Sequence, residues 1–173
     1  MERSILIFPE FDNIKLVQEI RQKYDSLYMH IRPHISLVFP FKSTLQNSLI
    51  FDVLCKTSQN MSSFSIDISR VSGDYKNGYV WLEIGKNERD IRELHRRLYD
   101  NELFSSYELK SKKYIPHITV AQGLQRERAF SLAKELNKRG NSITAKVKSI
   151  SVEEILANGD SKEIFSKKLI TSR

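Results

Sequence analysis

Apolar residues recur along this chain in two rhythms, short runs of period two and longer stretches of period three to four, separated by clusters of turn residues. Ser4-Ile5-Leu6-Ile7-Phe8, closed by Pro9, reads as a strand. Asp12 is placed to cap a helix reaching about Asp25, with Ile14, Val17, Ile20 and Tyr24 along one face. His34 to Phe41 alternates and is rich in β-formers, so a strand is expected there, followed by a helix from about Thr44 to Ser58. Phe64 to Val71 and Tyr79 to Ile84 make the clearest hairpin pattern, with Gly73-Asp74 and Asn77-Gly78 in the turn.

A second series comes next. Asn87 is placed to cap a helix to about Leu103, whose buried side carries Ile91, Leu94 and Leu98. After the basic connection Lys110-Ser111-Lys112-Lys113, His117 to Gln122 reads as a strand and Arg126 to Arg139 as a helix stopped by Gly140. Ser142 to Leu156 and Glu163 to Ile170 read as strands joined through Asn158-Gly159-Asp160. The order of elements is nearly repeated, which divides a single domain of residues 1–173 into approximate halves 1–84 and 85–173. Interspersed helices and two hairpins predict an α+β fold with largely antiparallel sheets.

Composition narrows the class without naming a reaction. With 40% hydrophobic and 28% charged residues, the chain has the balance of an ordinary soluble globular protein. The single cysteine, Cys55, allows no internal disulfide and no Cys-x-x-Cys site, and reads as a small core residue. The N-terminal apolar run is too short for a signal peptide or membrane span, so the cytoplasm is the expected compartment and no membrane partner is expected. A formal charge of +7 suits a phosphate-bearing partner, although the lysines and arginines are scattered as they would be if they only solvated helices.

Two segments echo each other across about half the chain: Arg32-Pro33-His34-Ile35-Ser36-Leu37-Val38 and Ile115-Pro116-His117-Ile118-Thr119-Val120-Ala121. A lone His-x-Ser/Thr triplet carries no information. Two copies in a shared frame, each opening the strand after the first helix of its half, are a specific signal. Side chains at i and i+2 of a strand share a face, about 6.6 Å apart, so His34 faces with Ser36 and His117 with Thr119. Ile35, Leu37 and Phe39, with Ile118 and Val120, are expected to point toward helices, and Val38 and Ala121 to continue the histidine faces. Histidine titrates near pH 6.5, so one neutral and one protonated ring can coexist, the first accepting a proton and the second donating one. The two hydroxyls would hydrogen-bond non-bridging phosphate oxygens.

These paired Pro-His-Ile-(Ser/Thr)-hydrophobic motifs, in a chain of this length and element order, resemble the two-histidine phosphoesterase superfamily, which includes RNA 2′,3′-cyclic phosphodiesterases and 2′-5′ RNA ligase-like proteins. The resemblance implies a bilobal, pseudo-two-fold fold in which two sheets flank a central cleft with helices outside. It further implies no metal or other cofactor, catalytic roles for His34 and His117, and phosphate binding by Ser36 and Thr119.

The expected reaction is metal-independent opening of a 2′,3′-cyclic phosphate on RNA or a nucleotide, with 2′-5′ ligation as the reverse use of the same groups. A non-catalytic RNA-binding module of the same fold, or a cyclic phosphodiesterase on an ADP-ribose-type nucleotide, are the competing readings. Nothing requires an obligate protein partner. Tyr79 and Trp81 fall on the cleft face and could stack a base, with ordinary cross-strand packing as the plainer role. Arg32, Lys112, Lys113 and Tyr114 precede the histidines closely enough to reach a phosphate. His30 and His34 have helical metal spacing, but Pro33 breaks the helix and no further ligand completes a set. His95 borders an apolar helix stripe and is expected at a surface or boundary.

Overall fold

The alternating runs become strands and the periodic stretches become helices, in a computed structural model that describes residues 1–110, 113–140 and 142–171. In chain order these are β1 (Glu2–Ile7), β2 (Glu10–Phe11), α1 (Ile14–Tyr24), β3 (Ile35–Lys42), α2 (Asn47–Thr57), β4 (Phe64–Ser72), β5 (Val80–Ile84), α3 (Glu88–Tyr99), β6 (His117–Ala121), α4 (Arg126–Arg139), β7 (Thr144–Val147), β8 (Ser149–Ile155) and β9 (Ser161–Lys168). Two antiparallel sheets result, one ordered β3-β1-β8-β9 and the other β2-β7-β4-β5-β6. Helices α2 and α3 pack on the first sheet, and α1 and α4 on the second. The α+β class, the two antiparallel sheets and their helical cover are as the sequence predicts.

The pairing adds what periodicity could not supply. Each sheet takes strands from both sequence halves, β1 and β3 joining β8 and β9 in one, and β4 and β5 joining β6 and β7 in the other. The run expected as one strand over Ser142 to Leu156 is broken at Lys148. Its first part pairs with β4, its second with β1, so the chain passes from one sheet to the other there. Both parts alternate equally well, and only the long-range partners divide them.

Local corrections are few. Neither Asp12 nor Asn87 caps a helix with its side chain. Asp12 instead accepts a hydrogen bond from the Thr144 hydroxyl, and the Asn87 amide donates to the Ser65 carbonyl at 2.8 Å. Ile14 is exposed, and the buried stripe of α1 runs through Val17 and Arg21. Cys55 is half-buried instead of lying in the core. The helix expected to reach Leu103 ends at Tyr99. Among the described residues no helix is long and apolar enough to cross a membrane.

The β4–β5 hairpin closes as expected, through one 3₁₀ turn at Tyr75–Asn77 followed by Gly78 at φ +76°. A Cβ on Gly78 would collide with the Leu124 carbonyl. Gly78→Ala is therefore expected to cost roughly 2 kcal/mol and to lower Tm by about 4–8 °C in a thermal melt. A melt unchanged within a degree would show that this turn can move aside.

Candidate active site

The two motifs take the same local form. His34 immediately precedes β3 and His117 opens β6. In each, the histidine Nδ1 lies against the carbonyl two residues back, Arg32 O at 2.9 Å and Ile115 O at 2.6 Å. A carbonyl can only accept, so Nδ1 carries the proton in both rings and Nε2 is the nitrogen that gains or loses one. Both strands then bulge one residue beyond the hydroxyl. Leu6 and Ile5 pair with Ser36 and Val38, passing over Leu37. Trp81 and Val80 pair with Thr119 and Ala121, passing over Val120.

A bulge resets the alternation of a strand. In β3 it turns Val38 into the buried core and brings Phe39 round to the cleft, the reverse of the expected orientation. The sequence contains no mark of these bulges; they arise from the partner strands.

Ser36, Tyr79, Trp81, Lys113, His117 and Thr119 line one cleft of about 750 Å³. His34 stands close enough to His117 for the charge of one to oppose protonation of the other. The structure thus brings both motifs together. Trp81 lies stacked on the His117 ring, with centroids 4.5 Å apart and planes at 30°. Arg32 is not among the lining residues: its guanidinium sits over the Phe8 ring, 4.0 Å from the centroid, and pairs with Glu163 at 3.5 Å. Lys112 lies outside the described residues. His30 turns away to Asp160, 2.8 Å from its Nδ1.

Both imidazoles are held below the ordinary histidine pKa. For His34 burial is the main cause, the Arg32 carbonyl opposes it, and Arg21 outweighs Asp25 in lowering it further. For His117 burial again dominates, while the Ile115 carbonyl and the Glu83 carboxylate pull the other way.

Several supporting residues escaped the sequence reading. Strand β3 is a sheet edge, and its unpaired backbone groups are met by side chains. The Tyr114 hydroxyl donates to Ser36 O at 2.8 Å, His95 Nδ1 faces Leu37 O at 2.8 Å, and the Tyr99 hydroxyl accepts from Phe39 N at 3.1 Å. His95 and Tyr114 stack face to face, centroids 3.5 Å apart. Beneath the His34 loop, buried Arg21 pairs with Asp25 at 2.7 Å and donates to the Leu27 and Ile31 carbonyls. Asp25 in turn accepts from Gln122, just beyond β6. Arg21 lies four residues from Val17 and four from Asp25, on the buried stripe, and that spacing was the available signal.

The chain has relatives among known proteins. Residues 9–158 match the model of the family described as the 2′-5′ RNA ligase superfamily. A candidate phosphoesterase of Bacillus pumilus is 29% identical over 126 residues, covering 72% of this chain and 71% of that protein. Another, of Oceanobacillus iheyensis, is 24% identical over 142 residues, 81% of each. Among solved structures, a protein of Thermus thermophilus superposes with a TM-score of 0.64 at 12% identity over the whole of both chains. Escherichia coli LigT, crystallised with 3′-AMP, superposes with a TM-score of 0.55 at 14% identity, covering 96% of this chain and 98% of its own. At those identities the superpositions speak for the fold alone.

Proposed function

The chain belongs to the 2′-5′ RNA ligase superfamily, a family of phosphoesterase type, and on that premise we propose that it opens a 2′,3′-cyclic phosphate on RNA or a nucleotide by paired-histidine catalysis. One observation carries this reading. Two rings, each fixed at Nδ1 by the carbonyl two residues back, stand close enough to feel one another's charge, and His117 lines one cleft with Ser36 and Thr119, the hydroxyls of both motifs.

In the proposed reaction the neutral ring takes a proton from water at Nε2 as the water oxygen attacks phosphorus. The bond from phosphorus to one ribose oxygen breaks, and the protonated ring delivers its Nε2 proton to that oxygen. Ser36 and Thr119 donate hydrogen bonds to the non-bridging oxygens as charge gathers on them. A 5′-hydroxyl in place of water would yield a 2′-5′ linkage through the same groups. Lys113 would offset the phosphate charge, and Tyr79 and Trp81 would meet the nucleoside; Arg32 rests over Phe8 and pairs with Glu163. Neither histidine needs a metal for these steps. A cleft of about 750 Å³ suits a ligand of nucleotide size, and 3′-AMP is what LigT holds in its complex.

The test is a panel of 2′,3′-cyclic nucleotides, an ADP-ribose-type cyclic phosphate and 2′-5′-linked oligonucleotides, with EDTA present and products resolved by position. Turnover of the cyclic nucleotides, undiminished by EDTA, is expected. Salt-sensitive RNA binding with no turnover anywhere in the panel would replace the enzyme with a binding module. Turnover confined to the ADP-ribose compound would reassign the substrate.

A further inference from the structure

Three adjacent strands place a charged row beside one of the two rings. Arg70 on β4 pairs in register with Glu83 on β5, and Glu83 pairs in register with His117 on β6. Residues opposite one another in an antiparallel pair project to the same face, so the row reads cation, carboxylate, imidazole. Glu83 is buried, and its oxygens are held by Arg70 Nε at 2.7 Å and by the Ser72 hydroxyl. His117 makes its Nδ1 bond to Ile115 O, so the carboxylate acts on the ring through space. Nothing comparable faces His34 among the described residues. The buried pair beneath it presents Arg21 more strongly than Asp25.

We propose that Glu83 is a positioning residue for the reaction: clamped by Arg70 and Ser72 beside His117, its carboxylate selects His117 as the ring that enters protonated, leaving His34 as the base. This rests on the paired-histidine reading above. Burial alone pushes the Glu83 carboxyl up, but the bonds from Arg70 and Ser72 prevail and keep it ionised. The other ionisable groups lining the cleft are Asp74, Tyr79, His95, Glu108, Lys110 and Lys113, two carboxylates and two lysines among them, and His34 stands close enough to His117 to feel its charge. Tyr114 is also present, but burial pushes its hydroxyl further up and it stays neutral.

Two variants with opposite charge changes separate this from a structural role. Glu83→Gln keeps the size and a hydrogen-bond acceptor but removes the charge. It is expected to raise the proton dissociation constant of His117 about three- to tenfold, moving His34 less than twofold, in a titration of assigned imidazole NMR signals. The alkaline limb of the kcat/KM profile should move to lower pH with it. Arg70→Gln, at a side chain that is 67% exposed, keeps an N–H donor for Glu83 while removing the cation from the row, and is expected to lower the same constant about two- to threefold. Equal movement of both rings, or none, in Glu83→Gln overturns the proposal. Should that variant not fold, an unchanged or raised constant in Arg70→Gln overturns it instead. The NMR titration needs no turnover, so absence of catalysis in the parent would sink the enzyme reading and leave this measurement standing.

Discussion

Alanine in place of either His34 or His117 is expected to lower kcat/KM for a 2′,3′-cyclic nucleotide by about 10²- to 10⁴-fold. The double variant should lose far less than the product of the two, because a base without its acid partner, or the reverse, already fails at the same transition state. The shape of the pH profile sharpens the expectation. Burial holds both rings below the ordinary histidine value, so both are neutral at pH 7 in the free protein and the bell-shaped kcat/KM profile should peak on the acid side of about 6.5. Each single variant should retain one limb only. With His34 removed, residual activity needs protonated His117 and falls as pH rises. With His117 removed, it needs neutral His34 and rises. Near-parental rates in either variant, on a substrate the parent turns over, would end the catalytic assignment.

The legible parts of this molecule are those that a few neighbouring residues determine. Helices α3 and α4 show in the spacing of Ile91, Leu94 and Leu98 and in Gly140, which ends α4 at φ +61°. The paired motifs are visible because strand period two puts a histidine and a hydroxyl on one face, and because the frame recurs. The hidden parts depend on partners far along the chain. Lys148 looks like any strand residue, yet the chain changes sheets there. Leu37 and Val120 look like ordinary alternating positions, yet each is skipped by its neighbour and re-aims the side chains beyond it. Glu83 reads as a polar residue in a strand until Arg70 and His117 are set on either side of it. The motifs announce which groups meet; the pairing decides how they are held.

Arg21→Met is expected to destabilise the fold by about 3–5 kcal/mol, the range for removing one partner of a buried ion pair. Arg21 and Asp25 are 1% and 8% exposed. Without the guanidinium, Asp25 keeps the Leu27 amide and Gln122 as partners, the Ile31 carbonyl loses its side-chain donor, and the Leu27 carbonyl is left with the His30 and Ile31 amides. Asp25→Asn should cost less, since Arg21 still satisfies both carbonyls. The pair replaced together by apolar residues of similar volume should recover much of the loss, as the burden of a buried unpaired charge is then gone. Chemical denaturation of the three variants measures this directly, and a loss below about 1 kcal/mol in Arg21→Met would refute it. The chemistry responds too. The loop from Leu27 to Ile31 leads into Arg32-Pro33-His34, and the Asp25–Gln122 bond ties it to the end of β6, so one network spans both motifs. Removing Arg21 also removes a charge that disfavours the protonated form of His34. His34 should then hold its proton to higher pH, and the acid limb of the kcat/KM profile should move up with it. Stability and the acid limb are coupled through one guanidinium, whereas Glu83→Gln should move only the alkaline limb.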